Sequence, residues 1–486
     1  MINKKPSVKL NFLYNILYQV LTVITPLIVT PYVSRILHPE GIGIYGYAYA
    51  TANYFVLFTM LGLNNYGNRM VARYRDDENK LSKVFWSIYG MQIVTSLICI
   101  FAYFIFVIFL NNGDIISWVM LLYVLSAGVD ITWFFQGIEE FKLTVSRNAF
   151  IKIISSVSIF IFVKNENDLI IYSLIMVGSI LISQLLLWPF LRKYVNKVKI
   201  GIFDIIIHFK PNIVLFIPAI AVSFYRVMDK IMLGMINGTL EVGYYESTDK
   251  LVSIPLCIVT ALGTVMMPRM ANIVLKKSKE EIVEIVTKSL SISILISAPM
   301  AIGMISVTDI LVPIFYGPGY EKCIYLFYIL LPSTLFISMA NVIRTQILIP
   351  YGLDNVFVKS CIIGAICNVT INCILIPYYG SIGAAIGTLC TEIVVFLVQV
   401  IYAKKYIKLK SSYKFILFNL VSACIMGIIV YNVPIFIGHA VIQLGVKVLI
   451  GMLIYIFELI VYIKITNDKF ANEIINFILP KHLRRI

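Results

Sequence analysis

Fourteen long apolar runs divide the sequence, and they constrain its fold more than any other feature. Each run is long enough to cross a hydrocarbon core about 30 Å thick as an α-helix. In chain order, the runs centre on residues 11–34, 42–63, 84–110, 116–135, 143–163, 169–191, 211–236, 242–267, 288–308, 323–347, 356–376, 382–403, 413–431 and 440–465. The sequence therefore predicts an all-α polytopic membrane protein with about 14 transmembrane helices.

The composition leaves little material for anything outside the membrane. Hydrophobic residues make up 60% of the 486 residues and charged residues only 13%, whereas soluble domains carry about 25% charged residues. The loops between the runs are also too short to fold as a separate domain. The sequence therefore excludes a soluble globular protein and a large catalytic head.

Motifs for cofactors and catalysis are missing from the sequence. It contains no G-x-x-x-x-G-K-[ST] phosphate loop, no H-E-x-x-H zinc motif and no G-x-S-x-G nucleophile elbow. The eight cysteines lie mostly within apolar runs, and no two have the spacing C-x-x-C. Cysteines in this setting are typical of small hydrophobic core residues. We therefore expect no cofactor, no metal site and no enzymatic activity.

Basic residues predict how the chain is oriented in the membrane. If the N-terminus is cytoplasmic, 33 of the 40 Lys and Arg residues fall in inner segments or at the inner ends of spans. The outer loops then hold only Arg35, Lys164 and Lys322. Because cytoplasmic loops carry an excess of Lys and Arg, we expect a multi-pass protein with both termini in the cytoplasm. The same rule explains the net charge of +15 without nucleic-acid binding.

A short pattern around a glycine recurs at the starts of three even-numbered spans, with its glycine at Gly43, Gly243 and Gly383. Gly43 and Gly243 each open the second helix of a six-helix block. Two facing repeats with a substrate between them are the usual architecture of transporters. This predicts lobes at residues 1–200 and 201–405, with two further spans and a basic tail at 406–486. The alternative is that glycine simply marks helix entry at a turn.

Two trios of charged residues with the same i, i+3, i+4 spacing lie in spans seven and eight: Arg226, Asp229 and Lys230, and Glu246, Asp249 and Lys250. This spacing places each trio on one helical face. Both trios lie at a similar distance from the hairpin tip at residues 238–239, so we expect them to meet. One interpretation is a polar cavity wall with cations for an anionic substrate. The other is a closed ion-pair network, because the first trio sums to +1 and the second to −1.

Uncharged polar residues also lie within the predicted spans. Asn15 and Gln19 belong to a polar stripe on span one, and Asn53 lies in span two. Such side chains can line a cavity, or they can hold helices together by hydrogen bonds. Both interpretations stay open at this stage.

Three acidic residues lie alone within spans: Asp130, Glu392 and Glu458. An ionisable group at membrane depth is costly, so it should face protein or water. Each is therefore a candidate site for coupling to H⁺ or Na⁺, with a polar contact between helices as the alternative. Lys447 is a lone lysine in span fourteen without an obvious acidic partner nearby in the sequence.

Three stretches of the sequence resemble the signatures of one transporter family. They are TPYVSRILHPEGIG at residues 30–43, LGLNNYGNR at 61–69, and DKIMLG at 229–234 with GYY at 243–245. With the spans in the same layout, the chain resembles the polysaccharide transport family of lipid-linked oligosaccharide flippases, in the multidrug/oligosaccharidyl-lipid/polysaccharide exporter superfamily. His38 stands where that family usually has glycine.

The resemblance implies a fold and a function. The expected fold has two six-helix lobes around a central cavity, formed largely by spans one, two, seven and eight, plus two C-terminal helices. The expected substrate is an undecaprenyl diphosphate-linked oligosaccharide, moved from the inner to the outer leaflet of a bacterial plasma membrane for capsule or O-antigen. Membrane lipid and polysaccharide polymerase machinery are the other expected partners.

A diphosphate at membrane depth needs fixed cations, and four residues are our candidates: Arg226, Lys230, Lys250 and Arg35. The expected polar lining of the cavity comprises Asn15, Gln19, Asn53, Asp229, Glu246 and Asp249. Two rival functions stay open. One is a cation-coupled multidrug exporter. The other, from a different class, is a membrane polysaccharide polymerase or ligase, which would normally need a longer outer loop.

Overall fold

The computed structural model describes residues 8–111, 113–407, 409–434, 438–466 and 470–472, and their side chains except those of residues 8–20, 110, 262, 264, 265, 405 and 409–411. These residues form helices joined by short turns, and no strand occurs among them. The predicted all-α fold is therefore confirmed.

The chain forms two compact units, Met1–Gly243 and Tyr244–Ile486. The helices of the first unit are α1 (Val8–Met60), α2 (Leu63–Tyr74), α3 (Glu78–Ile105, continued by a π-helical turn at Phe106–Leu110), α4 (Ile115–Gly128), α5 (Thr132–Gly137), α6 (Phe141–Phe162), α7 (Leu169–Leu185), α8 (Trp188–Leu191), α9 (Ile202–Ile206) and α10 (Phe209–Ile236). Helix α11 (Thr239–Ile273) begins in the first unit and continues in the second.

The remaining helices belong to the second unit. They are α12 (Lys279–Ile305), α13 (Thr308–Tyr316), α14 (Glu321–Ile343, continued by a π-helical turn at Arg344–Leu348), α15 (Asp354–Tyr379), α16 (Ser381–Ala403), α17 (Leu409–Asn432) and α18 (Ala440–Thr466). Within the described residues, 13 helical segments are long and apolar enough to cross a membrane. The first of these, Leu21–Tyr74, contains two predicted spans, so the 13 segments account for all 14.

A break at His38 divides α1 into its two spans. His38 has φ 54° and ψ 174°, which is not helical. Pro39 follows, and a proline disfavours the helical conformation of the residue before it. A positive φ costs a residue with a Cβ more than it costs glycine. This explains why the family that the sequence resembles usually has glycine at this position.

Aromatic side chains form the core of the first unit where α2, α3 and α5 pack together. Phe85, Trp133 and Phe134 are fully buried there. The rings of Phe85 and Trp133 stack with their centroids 5.6 Å apart. A Cβ on Gly67 of α2 would overlap the Trp133 ring, so glycine at 67 lets the indole approach the α2 backbone.

Helix α12 lies at the centre of the second unit, packed against α14 and α17. Four of its serines are buried, and they point to different sides of the helix: Ser289, Ser291, Ser293 and Ser297. Ser338 of α14 donates a hydrogen bond to Ser297 Oγ at 3.3 Å. Because small side chains let membrane helices approach closely, these serines favour tight packing of α12 between its neighbours.

The repeated glycines mark places where backbones approach too closely for a side chain. A Cβ on Gly43 would overlap the carbonyl oxygen of Thr239, and a Cβ on Gly243 would overlap that of Pro39. The two contacts are reciprocal, as expected for corresponding positions of a repeat. A Cβ on Gly383 would likewise meet the backbone of α15. These glycines therefore let two backbones pack closely, in addition to marking the starts of helices.

Span seven packs within the first unit. Helix α10 contacts α1 and α2. Tyr54 donates a hydrogen bond from its hydroxyl to the Ser223 carbonyl at 3.3 Å, and the rings of Phe58 and Phe216 lie 5.2 Å apart. The lobes predicted at residues 1–200 and 201–405 were defined by the repeated pattern in the sequence, not by packing. Their boundaries stay a prediction.

Replacing Gly43 with valine should destabilise the protein by about 1–3 kcal/mol, because the added side chain meets the Thr239 carbonyl. Gly178 of α7 is the matched control, since no atom lies within 4 Å of a Cβ built there. Gly178→Val should change stability by less than about 0.5 kcal/mol. Thermal unfolding of the detergent-purified variants measures both effects, and equal losses for the two variants would contradict the packing described here.

Candidate functional site

The first charged trio lies on α10. Arg226 is exposed and Lys230 is half-buried. Asp229 lies between them in sequence and is almost fully buried, with 1% of its surface exposed. By helix rise, Arg226 and Lys230 are about 15 and 9 Å from the end of α10 at Ile236. Two cations and one carboxylate give this helical face a net positive charge at membrane depth.

The second trio lies on α11, in the second unit. Lys250 Nζ is 3.4 Å from Glu246 Oε1, which forms an ion pair one helical turn apart. Asp249 is half-buried beside them. The adjacent Ser247 carbonyl accepts a hydrogen bond from the buried Tyr316 hydroxyl, which fixes this turn of α11. The ion pair agrees with part of the closed-network interpretation. That the two trios meet stays a prediction.

Asn53 takes part in a hydrogen-bonded aromatic cluster in the first unit. Its Oδ1 accepts a hydrogen bond from the Tyr123 hydroxyl at 3.0 Å. Tyr49 donates to the Tyr123 hydroxyl at 3.1 Å, and the two rings stack 4.7 Å apart. Tyr45 stacks on Tyr49 at 5.8 Å. Sequence reasoning found Asn53, but it missed Tyr123, which lies 70 residues further along the chain.

This cluster offers groups that suit a carbohydrate. Asn53 is half-buried, and its Nδ2 donates no hydrogen bond to any of the described residues. Stacked tyrosines supply an apolar surface with polar hydroxyl groups at its edge. An amide donor beside such rings can bind sugar hydroxyls. Tyr45 and Tyr123 are buried within the unit, whereas Tyr49 and Asn53 are half-buried and keep exposed surface for a ligand.

Asp130 lies at a break between α4 and α5. Its Oδ1 accepts a hydrogen bond from the Thr132 backbone N–H at 2.8 Å. Gln92 of α3 donates to the carbonyls of Ala127 and Asp130 at 2.7 and 2.8 Å. Trp133 donates in turn to Gln92 Oε1 at 3.1 Å. These bonds satisfy backbone groups that the helix break leaves without helical partners.

The polar network continues from this break to Arg147. Gln184 Oε1 accepts hydrogen bonds from Thr132 Oγ1 at 3.1 Å and from Arg147 at 3.2 Å. Arg147 also donates to the Ser183 carbonyl at 3.0 Å and to Asn148 at 2.6 Å. Only 8% of its surface is exposed. The sequence places Arg147 among basic residues near a cytoplasmic loop, and its burial was not foreseen.

The other lone acids lie in the second unit. Glu392 is buried on α16, with 6% of its surface exposed. Glu458 of α18 accepts a hydrogen bond from the Ser422 hydroxyl of α17, so it links the two C-terminal helices. In the described part of the chain, no three His, Cys, Asp or Glu side chains come together as metal ligands.

The remaining predicted site residues lie on α1. Arg35 is exposed and donates a hydrogen bond to the Pro31 carbonyl of its own helix at 2.8 Å. Asn15 and Gln19 belong to the helical backbone, but their side chains lie outside the described residues. Whether these three side chains share one cavity stays a prediction.

The structure defines a polytopic helical membrane protein with charged and hydrogen-bonded groups within its predicted spans. The fold is similar to that of a solved lipid II flippase, MurJ, in an inward closed conformation. The TM-score is 0.74 at 14% sequence identity, covering 94% of this chain and 99% of that one. The chain belongs to the polysaccharide biosynthesis protein family, whose profile matches residues 8–274, more than half of its length.

Two relatives add to this comparison. One is from Escherichia coli (strain K12) and is named as an O-antigen transporter; it is 26% identical over 411 residues, covering 82% of this chain and 97% of its own. The other is from Haloferax volcanii and is named as a low-salt glycan biosynthesis flippase, Agl15. It is 24% identical over 252 residues, covering 52% of this chain and 53% of its own. The family expected from the signature stretches is thus confirmed.

Two substitutions of Asp130 distinguish the contribution of its negative charge to stability from that of its hydrogen bond. Asp130→Ala should cost about 1 kcal/mol, because the Thr132 N–H loses its acceptor. Asp130→Asn keeps an acceptor oxygen and should stay within about 0.5 kcal/mol of the parent protein. Thermal unfolding in detergent gives both values. If Asp130→Asn were as unstable as Asp130→Ala, the negative charge would be the stabilising feature rather than the hydrogen bond.

Proposed function

We propose that this chain is a flippase that moves undecaprenyl diphosphate-linked oligosaccharide repeat units from the inner to the outer leaflet of the plasma membrane. The observation that carries the proposal is a set of cations at membrane depth in a member of a polysaccharide biosynthesis family. A polar glycan cannot cross hydrocarbon unaided, so its transporter must supply polar surface there. The names of the two relatives support the same function.

The diphosphate is the group that the cations would bind. Arg226 is exposed on α10 and Lys230 is half-buried one turn away. A guanidinium binds phosphate oxygens through paired N–H groups, and an ammonium adds a second point charge. Lys250 would join them by exchanging its Glu246 partner for the phosphate, and Arg35 is the fourth candidate. Because the Glu246 carboxylate competes for Lys250, the diphosphate would be held loosely enough to be released.

The glycan would lie against the polar lining. Asn53 offers an amide donor beside the stacked ring of Tyr123. Asn15, Gln19, Asp229, Glu246 and Asp249 complete the polar lining that we propose. The prenyl chain would stay in lipid, since it gains nothing from a polar cavity.

Alternating access would complete the cycle. In this proposal the blocks at residues 1–200 and 201–405 are the two lobes, residues 406–486 are an appendage, and both termini are cytoplasmic. Rocking of the lobes would expose the head group first to the cytoplasm and then to the outside. The polymerase machinery that consumes repeat units would act on the product at the outer leaflet.

A cation gradient would supply the driving force. Asp130, Glu392 and Glu458 are the candidate coupling residues for H⁺ or Na⁺. Asp130 and Glu458 each accept a hydrogen bond from a neighbouring group, so a coupling ion would have to displace or share that bond. Glu392 has the smallest exposed fraction of the three, 6%.

The double substitution Arg226→Gln with Lys230→Gln should abolish export while leaving the protein inserted and folded. It removes both cations of α10 but keeps hydrogen-bonding side chains of similar length. In a deletion strain carrying this variant, surface polysaccharide should fall at least about tenfold, which corresponds to the loss of about 1.4 kcal/mol of binding. Lipid-linked repeat units should accumulate on the inner leaflet. Antibody staining and extraction of these lipids measure the two effects.

A matched double variant, Lys276→Gln with Lys277→Gln, removes the same charge from the exposed segment after α11. Its surface polysaccharide should equal that of the parent chain. Normal polymer from the Arg226 and Lys230 variant would reject the role of these cations. If the purified protein transported lipophilic cations but no lipid-linked sugar, the multidrug exporter would replace the flippase.

A further inference from the structure

An apolar groove lies among three helices of the second unit, where α12 ends, α17 ends and α18 begins. Its volume is about 330 Å³. Four of its lining residues are methionines: Met300, Met304, Met426 and Met452. Met452 is 57% exposed, so the groove opens sideways toward the surrounding lipid. Methionine side chains are flexible and polarisable, and they adapt to hydrocarbon ligands of irregular shape.

Lys447 is the charged residue that lines this groove. It lies seven residues after the start of α18, about 10 Å along the helix. Only 6% of its surface is exposed, and its Nζ donates a hydrogen bond to the Tyr431 carbonyl at 3.1 Å. No carboxylate forms an ion pair with it among the described residues.

One acidic residue lies close to the groove, Asp309 of α13, two residues after the lining residue Val307. It accepts a hydrogen bond from the Tyr328 hydroxyl at 3.3 Å, and it forms no ion pair with Lys447 among the described residues. Helix α17 and the connection to α18 contain no Asp or Glu at all. The first acid along α18 is Glu458, 11 residues and about 16 Å away, where it binds Ser422 of α17. A buried ammonium beside a neutral carbonyl is costly in a membrane unless an anion or water compensates it.

We propose that this groove binds an anionic phospholipid, with one acyl chain along the methionines and the phosphate against Lys447. An apolar groove with one cation at its edge matches an amphiphile whose head group carries one negative charge. The groove opens to lipid, so such a molecule can enter from the bilayer without crossing the protein. The bound lipid would join the end of α12 to the two C-terminal helices.

Charge decides between a phospholipid and the prenyl carrier as the occupant. A phosphodiester carries one negative charge, which the single ammonium of Lys447 balances. A diphosphate esterified at both ends carries two, and it would leave one charge without a partner in this apolar site. The lining of the groove includes no residue of α10 or α11, and the proposal does not depend on the proposed function.

The test uses full-length protein purified in a neutral detergent. Phosphatidylglycerol and phosphatidylcholine with identical acyl chains are titrated, and bound lipid is counted by native mass spectrometry. The parent protein should bind phosphatidylglycerol about fivefold more tightly than phosphatidylcholine at this site. Lys447→Met should remove that preference, and Lys447→Arg should retain it. Lys464→Met is the matched control on the same helix and should bind both lipids as the parent does.

A second variant tests the groove independently of the charge. A Cβ on Gly303 would lie 3.4 Å from Met426 Cε, so Gly303→Leu should fill the space. This variant should lose at least about fivefold in affinity for both lipids, because the acyl chain has no room. Glycerol 3-phosphate alone should not compete, since it has no chain. If Lys447→Met fails to fold, Lys447→Arg and Gly303→Leu still give a decisive result.

Three results would overturn the proposal. The first is equal binding of the two phospholipids by the parent protein. The second is an unchanged preference in Lys447→Met, or unchanged binding in Gly303→Leu. The third is displacement of phosphatidylglycerol by equimolar undecaprenyl diphosphate, which would assign the groove to the prenyl carrier. None of these results bears on whether Arg226 and Lys230 are needed for export.

Discussion

Hydrocarbon offers no hydrogen bonds, so every polar group in a membrane-spanning helix must find its partner in the protein or in water that the protein holds. Most of the polar groups described here have partners in the protein. Gln92 bonds two carbonyls and an indole across a helix break. Tyr455 of α18 bonds Asn419 of α17 and the Leu295 carbonyl of α12. We propose that Arg226, which is exposed on α10, faces such water.

The sequence predicted the fold because the signals for membrane helices are local. A run of apolar residues and the charge of the loops beside it specify a span, so all 14 were found. The break at His38 follows from the proline after it. The repeated glycines at 43 and 243 were noticed as a pattern, and the reciprocal contacts supply their physical reason, which is the close approach of two backbones.

The site was predicted less completely because its contacts join residues far apart in the chain. Asn53 was chosen from its own span, but Tyr123, which holds its amide oxygen, comes from another helix. Arg147 lies at the inner end of the fifth apolar run, and only the packing of α6 against α7 buries it. Lys447 stood out as a lone cation, whereas the methionine groove beside it requires three helices to be assembled. Contacts between residues so far apart in the chain produce no periodic pattern in the sequence from which they could be predicted.

The central claim is that cations of α10 face water deep in the membrane, and accessibility of position 226 tests it most directly. In a chain whose eight cysteines are replaced, Arg226→Cys would be treated with a membrane-impermeant thiol reagent, first in intact cells and then in inside-out vesicles. The account predicts modification from at least one side, and protection by lipid-linked oligosaccharide. A thiol that stays unmodified from both sides, while Lys322→Cys in the first turn of α14 reacts, would contradict it.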